Sequence, residues 1–317
     1  MNTVDTAGNT RAWTPGRARA LDELSGRDGV IVGAAVDHRD SLRTVLSKRG
    51  LPVPDDDGLV ALKLEIAAAL APAATLILLD VEYGAAQALA NGAVPGTTAL
   101  GIALEAQGYG DAADSPRTSF LPDWSAEGAA RLGASACKLL LPYRADVEEQ
   151  ARAQEDVVRA AVAACGSAGV ALILEPIVYG EPAEFGELVV GGAQRLAALG
   201  PDILKLQYPG SGELCRQLDE ACSSSVPWVL LGGGVDGETL ERQVVEACTA
   251  GASGFVAGRT LWDAALVPDP RKRARALREQ CVPLLERLAA VAREHATPWR
   301  ERVGAIAAPP VGWYRAG

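Results

Sequence analysis

Eight short apolar runs recur along the chain, and each is followed by a longer stretch rich in Ala, Leu, Glu and Arg with helical spacing. Strands that are apolar at successive positions are typical of parallel sheets, because both faces of such sheets are covered. Eight strand-then-helix units are also the number that closes a (β/α)8 barrel, whose active site lies at the carboxyl ends of the strands. The predicted strands are Gly29–Val36, Thr75–Leu79, Ala99–Leu104, Ser135–Leu141, Val170–Pro176, Asp202–Tyr208, Trp228–Gly232 and Gly254–Ala257.

The predicted architecture is therefore α/β, a single (β/α)8 TIM barrel domain over residues 1–317. A doubly wound open sheet is the alternative, but it would need a glycine-rich phosphate turn after the first strand, and Gly33–Asp37 is not one. Residues 1–28 form an N-terminal extension whose helix, predicted over Gly16–Ser25, would cap the bottom of the barrel. After the last strand, the pattern predicts a long amphipathic helix over Pro270–Glu294 and an irregular tail over residues 295–317.

Polar side chains interrupt the apolar strands near their carboxyl ends. Alternate residues of a barrel strand point inward, and apolar residues belong against the helices, so the parity of each run assigns the polar residues to a face. The residues assigned to the interior are Asp37, Lys138, Glu175, Lys205 and Gln207. A structural ion-pair network would be the simpler interpretation. Buried ion pairs rarely stabilise a fold, however, and these residues lie at the catalytic end, so we predict an active site.

Two inward lysines, Lys138 and Lys205, suggest the chemistry of a nucleophilic amine. An isolated lysine has a pKa of about 10.4 and is protonated at neutral pH. Two ammonium groups about 5 Å apart repel by about 3 kcal/mol at an effective dielectric of about 20, and burial disfavours the charged form further. One lysine can then attack a ketone and form a Schiff base, with Glu175 moving the protons. These arguments leave open which lysine is the nucleophile.

Glycines follow the last two predicted strands, with Gly232, Gly233 and Gly234 after the seventh and Gly258 after the eighth. Barrels commonly bind phosphate at this place through backbone N–H groups and a helix N-terminus. Arg259 could add a charge-assisted contact. We therefore predict a site for phosphate or a similar anion.

Further polar residues follow the first two strands. His38 and Arg39 come directly after Asp37 and are candidates to contact the substrate. Asp80 and Glu82 follow the second strand and are expected to orient cationic side chains.

The amino-acid composition limits the classes of partner and site that we expect for this chain. The chain has 49% hydrophobic and 22% charged residues, which is average for a globular protein. Its formal charge of −10 opposes binding to nucleic acid or an anionic membrane. The two histidines and six cysteines, which include no C-x-x-C pair, give no support to a metal or redox site. We expect buried thiols, no metal or cofactor, and a cytoplasmic location.

Seven segments in order resemble the class I (Schiff-base) ketose-phosphate aldolases of the tagatose 1,6-bisphosphate aldolase type, including the related sulfofructosephosphate aldolases. The resemblance extends from about Leu21 to Glu286. The segments are Gly33–Arg39, Leu78–Asp80, Cys137–Leu140, Leu174–Ile177, Leu204–Lys205, Trp228–Val235 and Ala250–Arg259.

The resemblance implies that Lys205 forms the Schiff base, with Glu175 as the proton shuttle and Lys138 as the electrostatic partner. Asp37 would orient the substrate hydroxyls. The glycines and Arg259 would hold the phosphate at the ketone end, so that dihydroxyacetone phosphate is one product. The implied substrates are ketose 1-phosphate derivatives such as tagatose 1,6-bisphosphate or 6-deoxy-6-sulfofructose 1-phosphate.

Three residues depart from the pattern of these aldolases. His38 replaces a glutamine, Gln207 stands where relatives often have glutamate, and Gly232 replaces a serine. They preserve the Schiff-base residues but leave the aldehyde half of the substrate open, with His38, Arg39 and Gln207 as expected substrate contacts. The relatives also imply a homo-oligomer, and Trp299 and Trp313 of the tail are expected to pack on a neighbouring subunit.

Two other functions stay open. A sugar-phosphate isomerase or epimerase could use Glu175 and Lys138 for proton transfer without a covalent intermediate. A non-catalytic barrel that binds a phosphorylated sugar is the other alternative, although binding alone gives little reason to keep two buried amines together.

Overall fold

A computed structural model describes residues 13–107, 116–180, 182–222, 226–306 and 308–313. In these ranges, eight parallel strands pair in chain order, and the last strand pairs with the first to close the barrel. The predicted (β/α)8 barrel is confirmed. The strands are β1 Ile31–Ala35, β2 Leu76–Leu79, β3 Ala99–Ala103, β4 Ala136–Pro142, β5 Ala171–Ile177, β6 Ile203–Leu206, β7 Trp228–Leu231 and β8 Gly254–Ala257.

The α-helices form the outer layer or close the ends of the barrel, and short 3-10 turns at Ala71–Ala73 and Asp263–Ala265 join some of them. Their N-termini are often capped by a side chain that the sequence provides, as Asp55 does for the helix that begins at Asp56. The helices are α1 Pro15–Ser25, α2 Asp40–Lys48, α3 Asp56–Leu70, α4 Ala85–Ala90, α5 Ala126–Arg131, α6 Glu148–Ala168, α7 Phe185–Ala197, α8 Gly212–Ala221, α9 Gly237–Ala250, α10 Arg259–Trp262, α11 Pro270–Ala276, α12 Val282–His295 and α13 Trp299–Val303.

The strand residues alternate between two apolar clusters, because successive residues of a strand point to opposite faces of the sheet. One cluster fills the barrel and includes Ile31, Ile173 and Val256. The other lies between the strands and the surrounding helices. Gly33 provides space inside the barrel, because a Cβ at this position would lie 2.6 Å from the Val256 side chain. The interior is therefore closely packed below the polar residues at the carboxyl ends.

Helix α1 closes the amino end of the barrel. Leu21 and Leu24 are fully buried and belong to the same apolar cluster as the inward strand residues. Trp299 joins them and is also fully buried, which makes the prediction that it packs on a neighbouring subunit wrong. Trp313, in contrast, is 62% exposed. Helix α1 lies at the end of the barrel where the sequence predicts a capping helix, whereas residues 1–12, 307 and 314–317 of the predicted extension and tail lie outside the described ranges.

The C-terminal helix differs from the predicted one. A π-helical turn at Leu277–Cys281 lies between α11 and α12, so the helical segment has one widened turn. The predicted tail also contains a short helix, α13. All six cysteines are free and buried, as expected for small core residues. In the ranges that the structure describes, no helix is both long and apolar enough to cross a membrane.

Candidate active site

Lys138 lies at the centre of a buried cluster at the carboxyl ends of the strands. Its Nζ is 2.9 Å from Asp37 Oδ2, 2.7 Å from Glu105 Oε1 and 3.2 Å from Glu175 Oε2. These side chains come from the ends of β1, β3, β4 and β5, where strand parity turns them inward. Each of the four residues is less than one-tenth exposed. A single ammonium group therefore neutralises part of the charge of three carboxyl groups out of contact with bulk water.

Lys205, at the end of β6, lies on the other side of Glu175. Its Nζ is 3.1 Å from the same Oε2 atom that Lys138 approaches. Both contacts have ion-pair length, but neither has the alignment of a hydrogen bond, so this buried oxygen has no hydrogen-bond donor among the residues that the structure describes. One carboxylate oxygen thus lies between two amines, and a proton on it could pass to a group bound beside either amine.

Burial and charge act in opposite directions on the carboxyl groups. Burial alone would raise the pKa of Asp37, but Lys138, with smaller contributions from His38 and Lys205, lowers it well below its usual range. Burial raises the pKa of Glu105, and Lys138 offsets this only in part. Glu105 is also held by the Leu140 backbone N–H, which donates to its Oε2 at 3.2 Å. The cluster therefore contains one carboxylate that stays ionised and one that takes up a proton more readily.

His38 lies between this cluster and the phosphate end of the predicted site. Its Nδ1 is 3.6 Å from Asp37 Oδ1, and its ring packs edge-on against Trp262 with centroids 5.2 Å apart. A Cβ at Gly258 would lie 2.8 Å from the His38 ring, so the glycine makes this approach possible. Burial lowers the pKa of His38 to about 4, and the imidazole is therefore neutral at physiological pH.

Arg39 and Gln207, both predicted substrate contacts, have partners within the protein. Arg39 is buried, and its Nη1 lies 2.5 Å from Glu82 Oε2 while its Nη2 donates to the Glu105 carbonyl at 2.7 Å. The Val178 backbone N–H donates to Gln207 Oε1 at 2.7 Å. This geometry favours a positioning role for Arg39, and Gln207 joins the end of β6 to the segment after β5.

The glycines after β7 and β8 lie next to each other, as the anion-site prediction requires. Gly233 and Gly234 have positive φ angles of 61° and 73°, which glycine adopts without strain. A Cβ at Gly234 would lie 2.8 Å from Arg259 Nη2, so the guanidinium group of α10 contacts this turn. The Thr260 hydroxyl donates to the Val235 carbonyl at 2.7 Å and fixes α10 against the turn. Gly232 is buried, whereas Gly233, Gly234 and Arg259 face solvent.

Two charged residues of this region were not predicted as part of the site. Glu105 lies two positions after Ala103, which pairs with Lys138, so the parity that turned Lys138 inward also applies to Glu105. Lys63 lies on α3 and contacts Asp80, which follows β2. Asp80 and Glu82 thus each hold a cationic side chain, as expected. In the described residues, no group of three or more histidine, cysteine or acidic side chains is arranged to hold a metal ion.

The sequence is similar to known aldolases. A family model described as DeoC/LacD family aldolase matches residues 31–264. Tagatose 1,6-diphosphate aldolase 2 of Streptococcus mutans is 29% identical over 278 residues, which cover 76% of this chain and 82% of the relative. Tagatose 1,6-diphosphate aldolase of Staphylococcus haemolyticus is 27% identical over 292 residues, covering 82% of this chain and 89% of the relative.

Solved aldolase structures have the same fold. An archaeal fructose 1,6-bisphosphate aldolase superposes with a TM-score of 0.58 at 19% identity, covering 88% of this chain and 99% of that structure. The fructose-bisphosphate aldolase from Slackia heliotrinireducens gives a TM-score of 0.68 at 17% identity, covering 94% and 92%. The family match extends from β1 to beyond β8. It contains every residue of the lysine–carboxylate cluster, which consists of Asp37, Glu105, Lys138, Glu175 and Lys205. The chain therefore belongs to the DeoC/LacD family of aldolases, which makes it a lyase.

Proposed function

We propose that this aldolase forms a Schiff base on Lys205 and cleaves a ketose 1-phosphate derivative into dihydroxyacetone phosphate and an aldehyde. The observation that carries the proposal is the Glu175 oxygen that lies 3.1 Å from Lys205 and 3.2 Å from Lys138 inside the barrel. Such an arrangement supplies an amine and a proton carrier at one point, and the steps of Schiff-base formation need both.

The contacts favour Lys205 over Lys138 as the nucleophile. Lys138 has three carboxyl partners, which stabilise its ammonium form. In the described part of the chain, Lys205 has an ion pair with Glu175 alone. Lys205 is therefore the amine with fewer carboxylate partners to direct its position, and this agrees with the role that the family resemblance implies.

In the first half of the reaction, Lys205 Nζ attacks the C2 carbonyl of the ketose, and an N–C bond forms as the carbonyl oxygen takes a proton. The carbinolamine then loses its hydroxyl group as water after a second proton transfer, which leaves an iminium ion. Glu175 is within reach of the nitrogen and supplies these protons. Lys138 lies 3.2 Å from the same Glu175 oxygen and holds the carboxyl group in place between the transfers.

In the second half, a base removes the proton from the C4 hydroxyl, and the electrons of the C3–C4 bond flow into the iminium ion. The aldehyde leaves, and the enamine takes a proton at C3. Hydrolysis then releases dihydroxyacetone phosphate and free Lys205. Asp37 stays ionised beside Lys138, so its carboxylate is suited to accept hydrogen bonds from the sugar hydroxyls and orient them. The turn of Gly233 and Gly234 with Arg259 would hold the phosphate group.

The substrate class follows from two similarities. The relatives are named as tagatose 1,6-diphosphate aldolases, so tagatose 1,6-bisphosphate is the first substrate to test. The second is 6-deoxy-6-sulfofructose 1-phosphate, which the resemblance to sulfofructosephosphate aldolases suggests. The two differ at the group on C6 and in the configuration at C4, and both leave the same ketone half at Lys205.

Cleavage of both sugars in the presence of EDTA, followed through the release of dihydroxyacetone phosphate, tests the proposal. We expect Lys205→Met to abolish cleavage, and Lys48→Met, which changes an exposed lysine on α2, to retain it. Full activity of Lys205→Met would refute the proposal. Exchange of solvent deuterium into the sugar without cleavage would indicate an isomerase or epimerase, and thermal stabilisation by the sugar without turnover would indicate a binding protein.

A further inference from the structure

A second buried ion pair, Lys63–Asp80, lies beside the lysine–carboxylate cluster. Lys63 of α3 and Asp80 after β2 are both fully buried. Burial lowers the pKa of Lys63 to about 7, while the nearby Asp37 carboxylate, and to a smaller extent that of Glu82, acts in the opposite direction. Removing two charges from water is unfavourable, and apolar residues would often fill the same space with equal or better stability. Stability alone therefore does not explain this pair.

Asp80 controls the shape of the turn that follows β2. One carboxylate oxygen contacts Lys63, and the other accepts a hydrogen bond from the Tyr83 backbone N–H at 2.7 Å. The Asp80 carbonyl accepts from the Ala85 N–H at 2.8 Å. Gly84 fits closely over this carboxylate, since a Cβ there would lie 3.2 Å from Asp80 Oδ1. The position of the turn thus depends on the position of the Asp80 side chain.

This turn contains Glu82, whose carboxylate lies 2.5 Å from Arg39 Nη1 and so holds the Arg39 side chain. Arg39 is two residues after Asp37, and its Nη2 donates to the carbonyl of Glu105. Asp37 and Glu105 are two of the three carboxyl groups around Lys138. A continuous set of contacts therefore runs from Lys63 and Asp80 to the cluster.

We propose that the Lys63–Asp80 pair positions the reacting groups. It fixes the turn after β2 and, through Glu82, the side chain of Arg39, which holds the backbone of Glu105 and lies two residues after Asp37 in the chain. The inference rests on the proposed function only in that it takes Lys138 and Lys205 as the reacting cluster. Lys63 and Asp80 are positioning residues, and neither is expected to touch the substrate.

Asp80→Asn is the informative variant, because asparagine keeps the shape of the side chain and an acceptor for the Tyr83 N–H. The ion pair of Arg17 and Asp202 provides a matched control. Asp202 is also buried, pairs with Arg17 at 2.6 Å and accepts a hydrogen bond from the Leu172 N–H at 2.8 Å. This pair lies at the amino end of the barrel, so Asp202→Asn removes a comparable ion pair far from the cluster.

The kinetic test compares kcat and KM of the two variants after correction for the folded fraction. We expect Asp80→Asn to lower kcat by about 10- to 100-fold, because a small displacement of catalytic groups has effects of this size. Its KM should stay within about twofold, since the predicted phosphate turn is formed by other segments, after β7 and β8. Asp202→Asn should leave kcat unchanged. Equal kcat values in the two variants would overturn the inference.

A second measurement needs no substrate and separates this inference from the proposed function. Competitive acetylation with acetic anhydride, read by mass spectrometry, reports how reactive Lys138 is in the folded protein. We expect Lys138 to react several-fold faster in Asp80→Asn than in the wild type or Asp202→Asn, because its carboxyl partners are no longer held in place. Equal rates would refute the positioning role even if the wild type cleaves sugars. If Asp80→Asn does not fold, Lys63→Met/Asp80→Asn, which buries no charge, carries the same expectation.

Discussion

Replacing Lys138 by methionine removes the cation that three buried carboxyl groups share. The distances from Nζ to these groups are 2.7–3.2 Å. At about 3 Å, two unit charges attract by about 5 kcal/mol at an effective dielectric of about 20, before the cost of removing them from water. The loss of one partner from a buried ion pair costs about 3–5 kcal/mol overall. We expect Lys138→Met to lower the free energy of unfolding at pH 8 by this amount.

The loss should become smaller as the pH falls. In the wild type, the folded-state pKa of Asp37 is below its unfolded value, so Asp37 contributes stability at neutral pH that is lost as the pH falls through the folded pKa. In the variant, the cation that opposes burial is gone, so burial raises the pKa of Asp37 and Glu105 above their unfolded values. Protonation of these two groups as the pH falls then relieves the repulsion in the folded state. The difference between wild type and variant is therefore larger at pH 8 than at pH 5.

Urea denaturation of both proteins at pH 5 and pH 8 measures these free energies. Lys48→Met is the control, since Lys48 is exposed at the end of α2, and it should match the wild type at both pH values. A loss of less than about 1 kcal/mol at pH 8, the size typical of exposed ion pairs, would refute the reasoning. A loss that grows toward pH 5 would do the same.

Three further predictions concern other parts of the molecule. Arg259→Met should raise KM for the phosphorylated ketose by about tenfold or more, with kcat nearly unchanged in steady-state assays, because one charged contact to phosphate is lost; an unchanged KM would place the anion elsewhere. His38→Gln should leave the shape of the pH profile of kcat/KM between pH 6 and pH 8 unaltered, since burial lowers the pKa of His38 to about 4. An ionisation that is present in the profile of the wild type and absent from that of the variant would contradict this. Leu21→Ala, in helix α1 at the amino end of the barrel, should reduce the free energy of unfolding measured in urea by about 2–5 kcal/mol without changing kcat. A change in kcat would show that the packing of α1 affects the active site.

The barrel could be predicted because its strands carry an unambiguous signal. Each observed strand falls within one residue of a predicted run or inside it, since strands covered on both faces consist of apolar residues. The parity of these runs also turned Asp37, Lys138, Glu175 and Lys205 inward, and the structure brings these four together. In a barrel of known strand order, this parity is enough to locate the polar cluster.

The features that could not be predicted from the sequence lie outside the strands, where the alternation of inward and outward residues gives no information. Glu105 lies just beyond the predicted third strand, where the apolar run ends and only Ala106 follows before polar and glycine residues begin. Lys63 lies on a helix, and nothing in its spacing indicates a carboxylate partner after β2. The π-helical turn at Leu277–Cys281 interrupts a pattern that predicted one helix. Trp299 is buried because the chain returns to the bottom of the barrel, which the composition of the tail does not indicate.

The central claim is that Lys205 forms a covalent intermediate with the ketone, and borohydride trapping tests it most directly. The protein is incubated with dihydroxyacetone phosphate, EDTA and borohydride, and the adduct is located by intact mass and peptide mapping. We expect one stable adduct per chain on Lys205, and none on that residue in Lys205→Met. An adduct on Lys138 would reverse the roles of the two lysines, and the absence of any adduct while the ligand binds would contradict the Schiff-base mechanism.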